Sequence, residues 1–433
     1  MRILVISNSP WDDSNSFGST FSNFFQGVDK DTIASVYCSG STPNTNSCSR
    51  FFQIAEKDLA RSAFKRKKAA GKEVLPLCNE EKTPVKKSKM MSFVKTHRWV
   101  LFFWAREILW KIGKWKSERL DNFINSFKPD IIVLPTYSFS YINKLALYIQ
   151  KKWNLPMVSY VSDDEYTLRQ FSISPLYWMN RFYQRIWVKR GIVNSRILYT
   201  ISNVQKSDYE KCFSVPCKVL TKFLDFDASP ACKQEYGKKL RLVYTGNIGG
   251  NRWKSLALIA KAIQEINAIE SRLQLEIYTA TPITKRMEKA LNIVDCSEIK
   301  GRVSAKEARL LQEEADVLVH VEAMDLKNRL SVRQSFSTKI VDYFKAARPI
   351  LAVGPTSVAS LQHLIENDCA MIGNSKDTII AELKKAIEDP SYLALLSERA
   401  YECGRKHHNR KEMQEMFLTD MQEICGEPKN ENS

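Results

Sequence analysis

Short apolar runs alternate with segments of helical periodicity along most of this chain, and this alternation limits the possible folds more than any other feature. Such a pattern is typical of a parallel β-sheet with helices on both faces, in which ligands bind outside the carboxyl ends of the strands. In the first half of the chain, the runs predicted as strands span residues 2–7, 32–38, 130–135, 156–161 and 197–202.

The pattern starts again after a polar region near residues 215–240, which contains Pro216, Pro230 and Gly237. With 433 residues, 44% of them hydrophobic, the chain is long enough to bury two cores. We therefore predict two Rossmann-like, doubly wound α/β domains facing across a cleft, with residues 406–433 as a helix packing toward the N-terminal domain and a disordered tail. The predicted domains span 1–220 and 221–405, and the second set of strands spans 241–245, 273–279, 299–303, 316–322 and 349–354.

Residues 331–355 combine a short helix with a buried strand that Pro349 opens. Ser337 is a suitable N-cap, and Thr338 and Lys339 fall in the first turn of the predicted helix. A helix start carries unpaired N–H groups and the positive end of the dipole, so it favours an anion such as phosphate. Asp342, just beyond that turn, is a candidate acceptor for hydroxyl groups beside the phosphates. An ordinary surface helix remains the alternative interpretation.

The turn after the first strand of the second half is rich in glycine and contains two cations. Its glycines begin with Gly246, beside Asn247, and Arg252 and Lys254 follow, so the turn is suited to cradle a diphosphate. The alternative is a loop that needs its glycines for geometry alone. The corresponding loop of the first half contains only Gly18, which excludes the three-glycine dinucleotide fingerprint.

Acidic residues follow the predicted strand at 156–161, where a ligand is expected. Asp163 and Asp164 are candidates to hold an acceptor hydroxyl or to act as a base, although a solvated turn would look the same. A second acidic pair, Asp225 and Asp227, has the spacing of a metal-binding DxD motif, but it falls in the interdomain linker. We therefore expect no metal and no other cofactor.

A basic insert at residues 57–119 contains eighteen Lys or Arg residues against six Asp or Glu. Its last third interleaves aromatic and cationic side chains, a composition that favours the interface of an anionic membrane. A helix buried between the sheet and the insert is the alternative, and nucleic-acid binding is disfavoured because a parallel sheet offers no known reader module. The residues predicted to meet the membrane are Trp99, Phe102, Phe103, Trp104, Arg106, Trp110, Lys114 and Trp115.

The ten cysteines show neither metal-ligand spacing nor the regular pattern of a disulfide framework, which indicates a reducing compartment. No apolar stretch reaches the length of a membrane span, and the apolar run at the start is too short for a signal peptide. We expect a cytoplasmic protein, peripherally associated with the inner face of the cell membrane.

Two Rossmann-like halves, a glycine turn with a cation and a phosphate-binding helix before a Pro-initiated strand together resemble glycosyltransferase family 4. The resemblance implies a GT-B fold and retaining transfer of a sugar from a nucleotide diphosphate to an acceptor bound mainly by the first domain. In that family the helix bears the second Glu of a Glu-x7-Glu motif, with Pro seven residues later. Asp342 and Pro349 match that spacing, which implies that Asp342 binds the ribose hydroxyls.

The chain also departs from the family pattern. Gln334 stands where the first Glu of the motif is expected, and Asn247 replaces the first cation. Gly18 stands alone in place of the Gly-Gly pair that approaches the donor phosphates in that family, which implies the same role for Gly18. The diphosphate contact is then expected from Arg252, with Lys254 and Lys339. Departures of this kind leave open a membrane-associated sugar-nucleotide-binding protein without catalysis, or a GT-B epimerase. The favoured hypothesis is a glycosyltransferase acting on a lipid-linked or polysaccharide acceptor in surface polysaccharide assembly.

Overall fold

The computed structural model describes residues 1–65, 69–76, 100–226, 232, 233 and 235–426, and only the backbone of residues 64, 65 and 100–102. Within these ranges the chain forms two α/β domains, each built on a mainly parallel sheet. The predicted pair of doubly wound domains is confirmed.

The N-terminal sheet has eight described strands in the spatial order β4-β3-β2-β1-β5-β6-β7-β8. All neighbours are parallel except β3 and β4. The five residues of β1 are all buried, as a central strand covered on both faces requires. The strands are β1 (Ile3–Ser7), β2 (Ile33–Tyr37), β3 (Arg50–Gln53), β4 (Lys72–Val74), β5 (Ile131–Pro135), β6 (Met157–Val161), β7 (Leu198–Thr200) and β8 (Cys217–Val219).

Helices cover both faces of this sheet. Two of them end in a left-handed residue, Lys128 and Asn154, which turns the chain back toward the next strand. The described helices are α1 (Ser16–Phe24), α2 (Glu56–Lys65), α3 (Val100–Ile112), α4 (Glu118–Phe127), α5 (Ser140–Trp153), α6 (Pro175–Val193) and α7 (Asn203–Glu210).

The C-terminal sheet has six parallel strands in the order β11-β10-β9-β12-β13-β14. Its strands are β9 (Leu240–Thr245), β10 (Leu273–Tyr278), β11 (Ser297–Gly301), β12 (Val317–Val321), β13 (Ile350–Val353) and β14 (Met371–Gly373). Its helices are α8 (Arg252–Asn267), α9 (Lys285–Leu291), α10 (Ala305–Glu314), α11 (Leu326–Val332), α12 (Lys339–Ala346), α13 (Ala359–Glu366), α14 (Lys376–Glu388) and α15 (Pro390–His407).

A final helix, α16 (Arg410–Gly426), crosses back to the N-terminal domain. Phe417 and Met421 pack in the N-terminal core, and Asp420 accepts hydrogen bonds from Tyr199 and Lys218. Beside the linker, the backbone N–H of Leu224 donates to the carbonyl of His408. The two domains are therefore tied together at two places in the chain.

The structure corrects part of the predicted membrane segment. Trp110 and Trp115 are only 2% and 9% exposed, and the Trp110 ring stacks on Tyr141 with centroids 4.5 Å apart. Both indoles complete the core between α3 and α5, so they are covered by protein and do not form an exposed membrane-binding surface.

The other predicted membrane residues differ in their surroundings. Arg106 forms an ion pair with Glu56, while Phe103 and Trp104 contact aromatic rings of neighbouring helices. Lys114 is exposed, whereas Trp99 and the side chain of Phe102 lie outside the described residues. No described helix combines the length and apolar composition that crossing a bilayer requires.

Candidate functional site

A cavity of ≈ 450 Å³ lies between the two domains, at the carboxyl ends of both sheets. The N-terminal domain contributes the start of α1 and the loops after β5 and β6. The C-terminal domain contributes the turn after β9, the end of β12, and the loop that leads into α12. Because strand ends and helix starts meet here from both sides, this cavity is the expected ligand position of an open α/β sheet.

Three cations line the cavity: Arg252 from α8, Lys339 from α12 and Lys222 from the interdomain linker. Burial, reinforced by the nearby Arg252 guanidinium, lowers the pKa of Lys339. Because Lys339 and Arg252 are close enough to repel each other, an anion bound between them would be stabilised by both side chains. A diphosphate, with its oxygens spread over two groups, suits that arrangement.

Glu322 lies at the end of β12 and orients Arg252. Its carboxylate accepts a hydrogen bond at 3.0 Å from the Arg252 guanidinium, and its side chain is 5% exposed. Burial raises the pKa of Glu322, and the Arg252 charge opposes that shift. Glu322 therefore holds the guanidinium at the cavity wall.

The start of α12 faces the cavity, and the helix begins one residue later than the sequence predicted. The helix begins at Lys339, with Thr338 at the N-cap position, so the prediction of Ser337 as the N-cap was wrong. The reason is local: the Ser337 N–H donates to Ser360 on α13, which holds Ser337 in the preceding loop. Ser337, Thr338 and Lys339 nevertheless all line the cavity.

The turn after β9 brings its backbone against Lys339. A Cβ on Gly246 would lie 2.0 Å from the Lys339 Nζ, so glycine is needed for the ammonium to lie there. Asn247 lines the cavity, and its side-chain oxygen accepts hydrogen bonds from Gly249 N–H and the Thr281 hydroxyl. Asn247 thereby shapes the turn, and it is not a charged contact.

Lys254 does not reach the cavity. It follows Arg252 by two residues, about half a turn of α8, and lies in a separate surface groove beside Trp253 and Arg286. The prediction that it contacts the diphosphate is corrected, because the helix rotates Lys254 away from the side that carries Arg252.

Gly18 also differs from its predicted role. It lies inside α1, where a Cβ would come within 2.1 Å of the Asp12 carbonyl oxygen, so glycine permits the helix to pack on that loop. Its neighbours Ser16, Phe17, Ser19 and Thr20 line the cavity.

The side chains of the two candidate catalytic acids, Asp163 and Asp164, point in opposite directions. Asp163 lines the cavity and accepts a 2.8 Å hydrogen bond from the Ser335 hydroxyl across the cleft. Asp164 points inward, where its carboxylate pairs with Arg181 and accepts N–H bonds from Tyr166 and Thr167. Because successive side chains of an extended segment point to opposite sides, only Asp163 can meet a substrate.

Glu165, the next residue, is buried beside Ser138, and burial raises the pKa of its carboxyl to about 7. Glu165 lies next to Asp163 and Tyr137, which line the cavity, but its own side chain does not line it.

Gln334 and Asp342 serve the domain interface. Gln334 is 1% exposed and donates to Asp208 at 2.6 Å, so its predicted place beside the donor sugar is corrected. Asp342 pairs with Lys222 at 2.5 Å and does not line the cavity itself. The loop before α12 packs on α7 of the other domain, and this contact draws Gln334 away from the cleft, whereas Asp342 is held by Lys222 at the cavity wall.

Asp225, the first acid of the DxD motif, accepts a hydrogen bond from Arg410, whereas Asp227 lies outside the described residues. Among the residues that the structure describes, no three His, Cys, Asp or Glu side chains are placed to hold a metal ion.

Lys222, Glu322 and His320 line the cavity, although the sequence did not predict them as site residues. Glu322 carried a usable signal, since a carboxylate at the end of a central strand is expected beside a ligand. His320 is 6% exposed, lines the cavity, and has no hydrogen-bond partner for its Nε2 atom.

We expect His320 to make the fold sensitive to acid. Burial, together with the charges of Lys339 and Arg252, lowers the pKa of His320 to about 3, below its value of 6.5 in the unfolded chain. Below pH 6.5 the unfolded state therefore binds a proton that the folded state does not bind. As the pH is lowered further, the free energy of unfolding decreases by about 1.4 kcal/mol per pH unit until about pH 3. Urea unfolding at pH 7, 6 and 5 measures the free energy of unfolding of the native protein and of His320→Gln. The advantage of the native protein over the variant should decrease as the pH falls, approaching this slope below pH 6.5. An unchanged difference would mean that His320 is not buried as a neutral group.

This chain is similar to known proteins at the level of structure. No protein-family model matches it, and no curated protein does. Solved structures do match, over nearly the full length of both chains. Anabaena Alr3699/HepE in complex with UDP has a TM-score of 0.62 and 10% identity, over 98% of this chain and 100% of that one. This chain has the GT-B fold.

Two more GT-B structures support the assignment. Sucrose-phosphate synthase from Thermosynechococcus elongatus has a TM-score of 0.60 and 10% identity, over 98% of this chain and 99% of that one. The UDP-forming α,α-trehalose-phosphate synthase from Burkholderia vietnamiensis has a TM-score of 0.58 and 11% identity, over 98% and 100%. The predicted GT-B architecture is confirmed, and the cavity between the domains is the cleft of that fold.

Proposed function

We propose that this protein is a glycosyltransferase that binds a nucleoside-diphosphate sugar, with uracil as the base, in the cavity between its domains. The observation that carries the proposal is the meeting of Arg252, Lys339 and Lys222 with the start of α12 around one cavity. The choice of base is supported by similar structures, one in complex with UDP and another described as UDP-forming.

The chemical step follows from these charges. When the sugar leaves the nucleotide, negative charge grows on the diphosphate oxygens while the sugar becomes electron-poor. Preorganised cations near those oxygens stabilise the transition state more than the ground state, which is how an enzyme lowers this barrier. Glu322 keeps the Arg252 guanidinium in position before the substrate arrives.

The acceptor is assigned to the N-terminal side of the cavity. Asp163 is the carboxylate on that wall, and it is placed to accept a hydrogen bond from an acceptor hydroxyl. Aromatic side chains of Phe17, Tyr137 and Tyr160 line the same wall and suit the apolar face of a sugar ring. We propose a saccharide acceptor, carried on a lipid at the inner face of the cell membrane during surface polysaccharide assembly.

We further propose that the transfer retains the configuration of the sugar, as in family 4. The described cavity wall contains two carboxylates, Asp163 and Glu322, and Glu322 is engaged by Arg252. This pairing makes a covalent glycosyl-enzyme intermediate on Glu322 unfavourable, and Asp163 lies on the acceptor wall, so retention would proceed by departure and attack on the same face of the sugar.

The first test is a thermal-shift panel with UDP, UMP, uridine, ADP and GDP. Because a ligand at a hundred times its dissociation constant stabilises by about 2.7 kcal/mol, UDP should raise the melting temperature by several degrees. UMP should give less and uridine least, since the cations bind the second phosphate. Equal shifts for UDP and uridine would show that the cations do not hold a diphosphate.

Catalysis is tested separately, with UDP-sugars and a simple saccharide acceptor. A transferase releases UDP and hydrolyses the donor slowly without acceptor, whereas a binding protein releases none. An epimerase would invert one stereocentre of the sugar, either while UDP is released or with UDP still attached. Analysis of the products by NMR distinguishes these outcomes from transfer to the acceptor.

A further inference from the structure

Helix α6 buries Val188 and Ile192, but it also buries polar side chains and exposes apolar ones, unlike an ordinary surface helix. Its inward side carries Asn180, Arg181 and Gln184, which are 5–9% exposed. Its outward side carries five apolar residues that are each 47–53% exposed and recur at helical spacing: Leu176, Met179, Phe182, Ile186 and Val193.

The buried polar side has an evident partner. The Arg181 guanidinium donates to the backbone carbonyls of Asp164 and Thr167 at 2.8 and 2.9 Å and pairs with the Asp164 carboxylate. These contacts fix α6 to the loop after β6 in one rotational setting. The apolar stripe is thus held outward by the fold.

Neighbouring segments extend this apolar surface. The loop before α6 exposes Phe171 at 48% and Ile173 at 92%. On α3, Trp104 packs on Tyr183 of α6 with ring centroids 5.2 Å apart, and Ile108 and Ile112 follow at intervals of four residues. We call this surface the docking face, and define it by Phe171, Ile173, Leu176, Met179, Phe182, Ile186, Val193, Ile108 and Ile112.

The segments that carry α6 and its flanking loops hold cations and no acids, and Glu107, beside Ile108 on α3, is paired with Lys144. Residues 166–207 contain seven Arg or Lys residues and no Asp or Glu. Lys189 and Arg190 are exposed beside Ile186, and Lys111 is exposed between Ile108 and Ile112. Apolar side chains surrounded by cations match a surface that is apolar inside and anionic outside, which is an acidic lipid bilayer.

We propose that the docking face binds the surface of an anionic bilayer, with its apolar side chains at the boundary of head groups and acyl chains. Arg181 links the face to the loop that carries Asp163, so bound lipid would lie next to the N-terminal wall of the cavity. The proposal moves the membrane contact from the buried indoles of Trp110 and Trp115 to α6. It does not depend on the transfer chemistry.

The test is flotation of the full-length protein with vesicles of phosphatidylcholine, alone or mixed with phosphatidylglycerol. The native protein should float with the mixed vesicles, and high salt should weaken this binding. Met179→Gln, Phe182→Gln and Ile186→Gln, combined, should weaken it by at least about tenfold because three apolar contacts are lost. Lys189→Gln with Arg190→Gln should weaken it by about fivefold for each cation and reduce its salt dependence.

A matched control places three glutamines on the C-terminal domain, at Ile269, Val294 and Leu310, which are 87%, 87% and 49% exposed. This variant should float like the native protein, and circular dichroism should show that all variants are folded. Three results would overturn the proposal: no flotation of the native protein, an equal loss in the control, or a native dimer that the α6 variant converts to a monomer. The last result would assign the face to a second copy of the chain.

Discussion

Replacing Arg252 with alanine should lower the rate of UDP release from a bound UDP-sugar by about a hundredfold or more. The guanidinium lines the cavity and is fixed by Glu322, so it is a preorganised donor for the leaving diphosphate. Removing one such donor typically costs that much in rate. The measurement is kcat/KM for the UDP-sugar that gives the largest thermal shift, with UDP release as the signal.

Two variants separate this role from a structural one. Lys254→Ala removes a cation from the same helix but outside the cavity, and should keep native kcat/KM. Arg252→Ala also strands the buried Glu322 carboxylate, so the double variant with Glu322→Gln should recover stability without recovering activity. If Arg252→Ala alone keeps native kcat/KM, the diphosphate does not bind beside this residue.

Replacing Arg181 with alanine should destabilise the protein by about 3–5 kcal/mol, the usual cost of breaking a buried ion pair. The side chains of Arg181 and Asp164 are 7% and 2% exposed, so the change leaves an unpaired carboxylate inside the N-terminal domain. It also removes the donor to the Asp164 and Thr167 carbonyls. Urea unfolding followed by circular dichroism measures the loss.

The neighbouring Lys189→Ala is the control, because Lys189 is exposed on the same helix and its removal should change stability by no more than about 0.5 kcal/mol. Adding Asp164→Asn to Arg181→Ala should restore part of the loss, since the stranded charge is then gone. A loss for Arg181→Ala as small as that of Lys189→Ala would contradict the buried pair.

The fold could be predicted well because the residue pattern of each longer strand indicates whether one or both of its faces are buried. The runs at 130–135 and 156–161 are continuous and apolar, as strands covered on both faces must be, and they became β5 and β6. Short strands such as β8 and β14 were not predicted, since three residues carry too little pattern to distinguish a strand from a loop.

The candidate site could be predicted only in part. Arg252, Lys339 and Asp163 line the cavity, and each of them follows a strand end or opens a helix, which is a signal visible in the sequence. Lys254, Asp164 and Gln334 were misplaced because the direction of a side chain within a turn depends on what packs behind it. Behind Asp164 stands Arg181, and beside Gln334 stands Asp208.

The amino-acid sequence by itself determined the two parallel sheets, the edge at which a ligand is expected, and the positive charge of that edge. These properties follow from periodicity and composition within short segments. Only the tertiary structure decided which cations share one cavity, since Lys222 and Lys339 are far apart in sequence and meet when the domains pack. It also decided that Trp110 lies in the core while Phe182 lies outside, because burial of a helix face depends on which neighbour covers it.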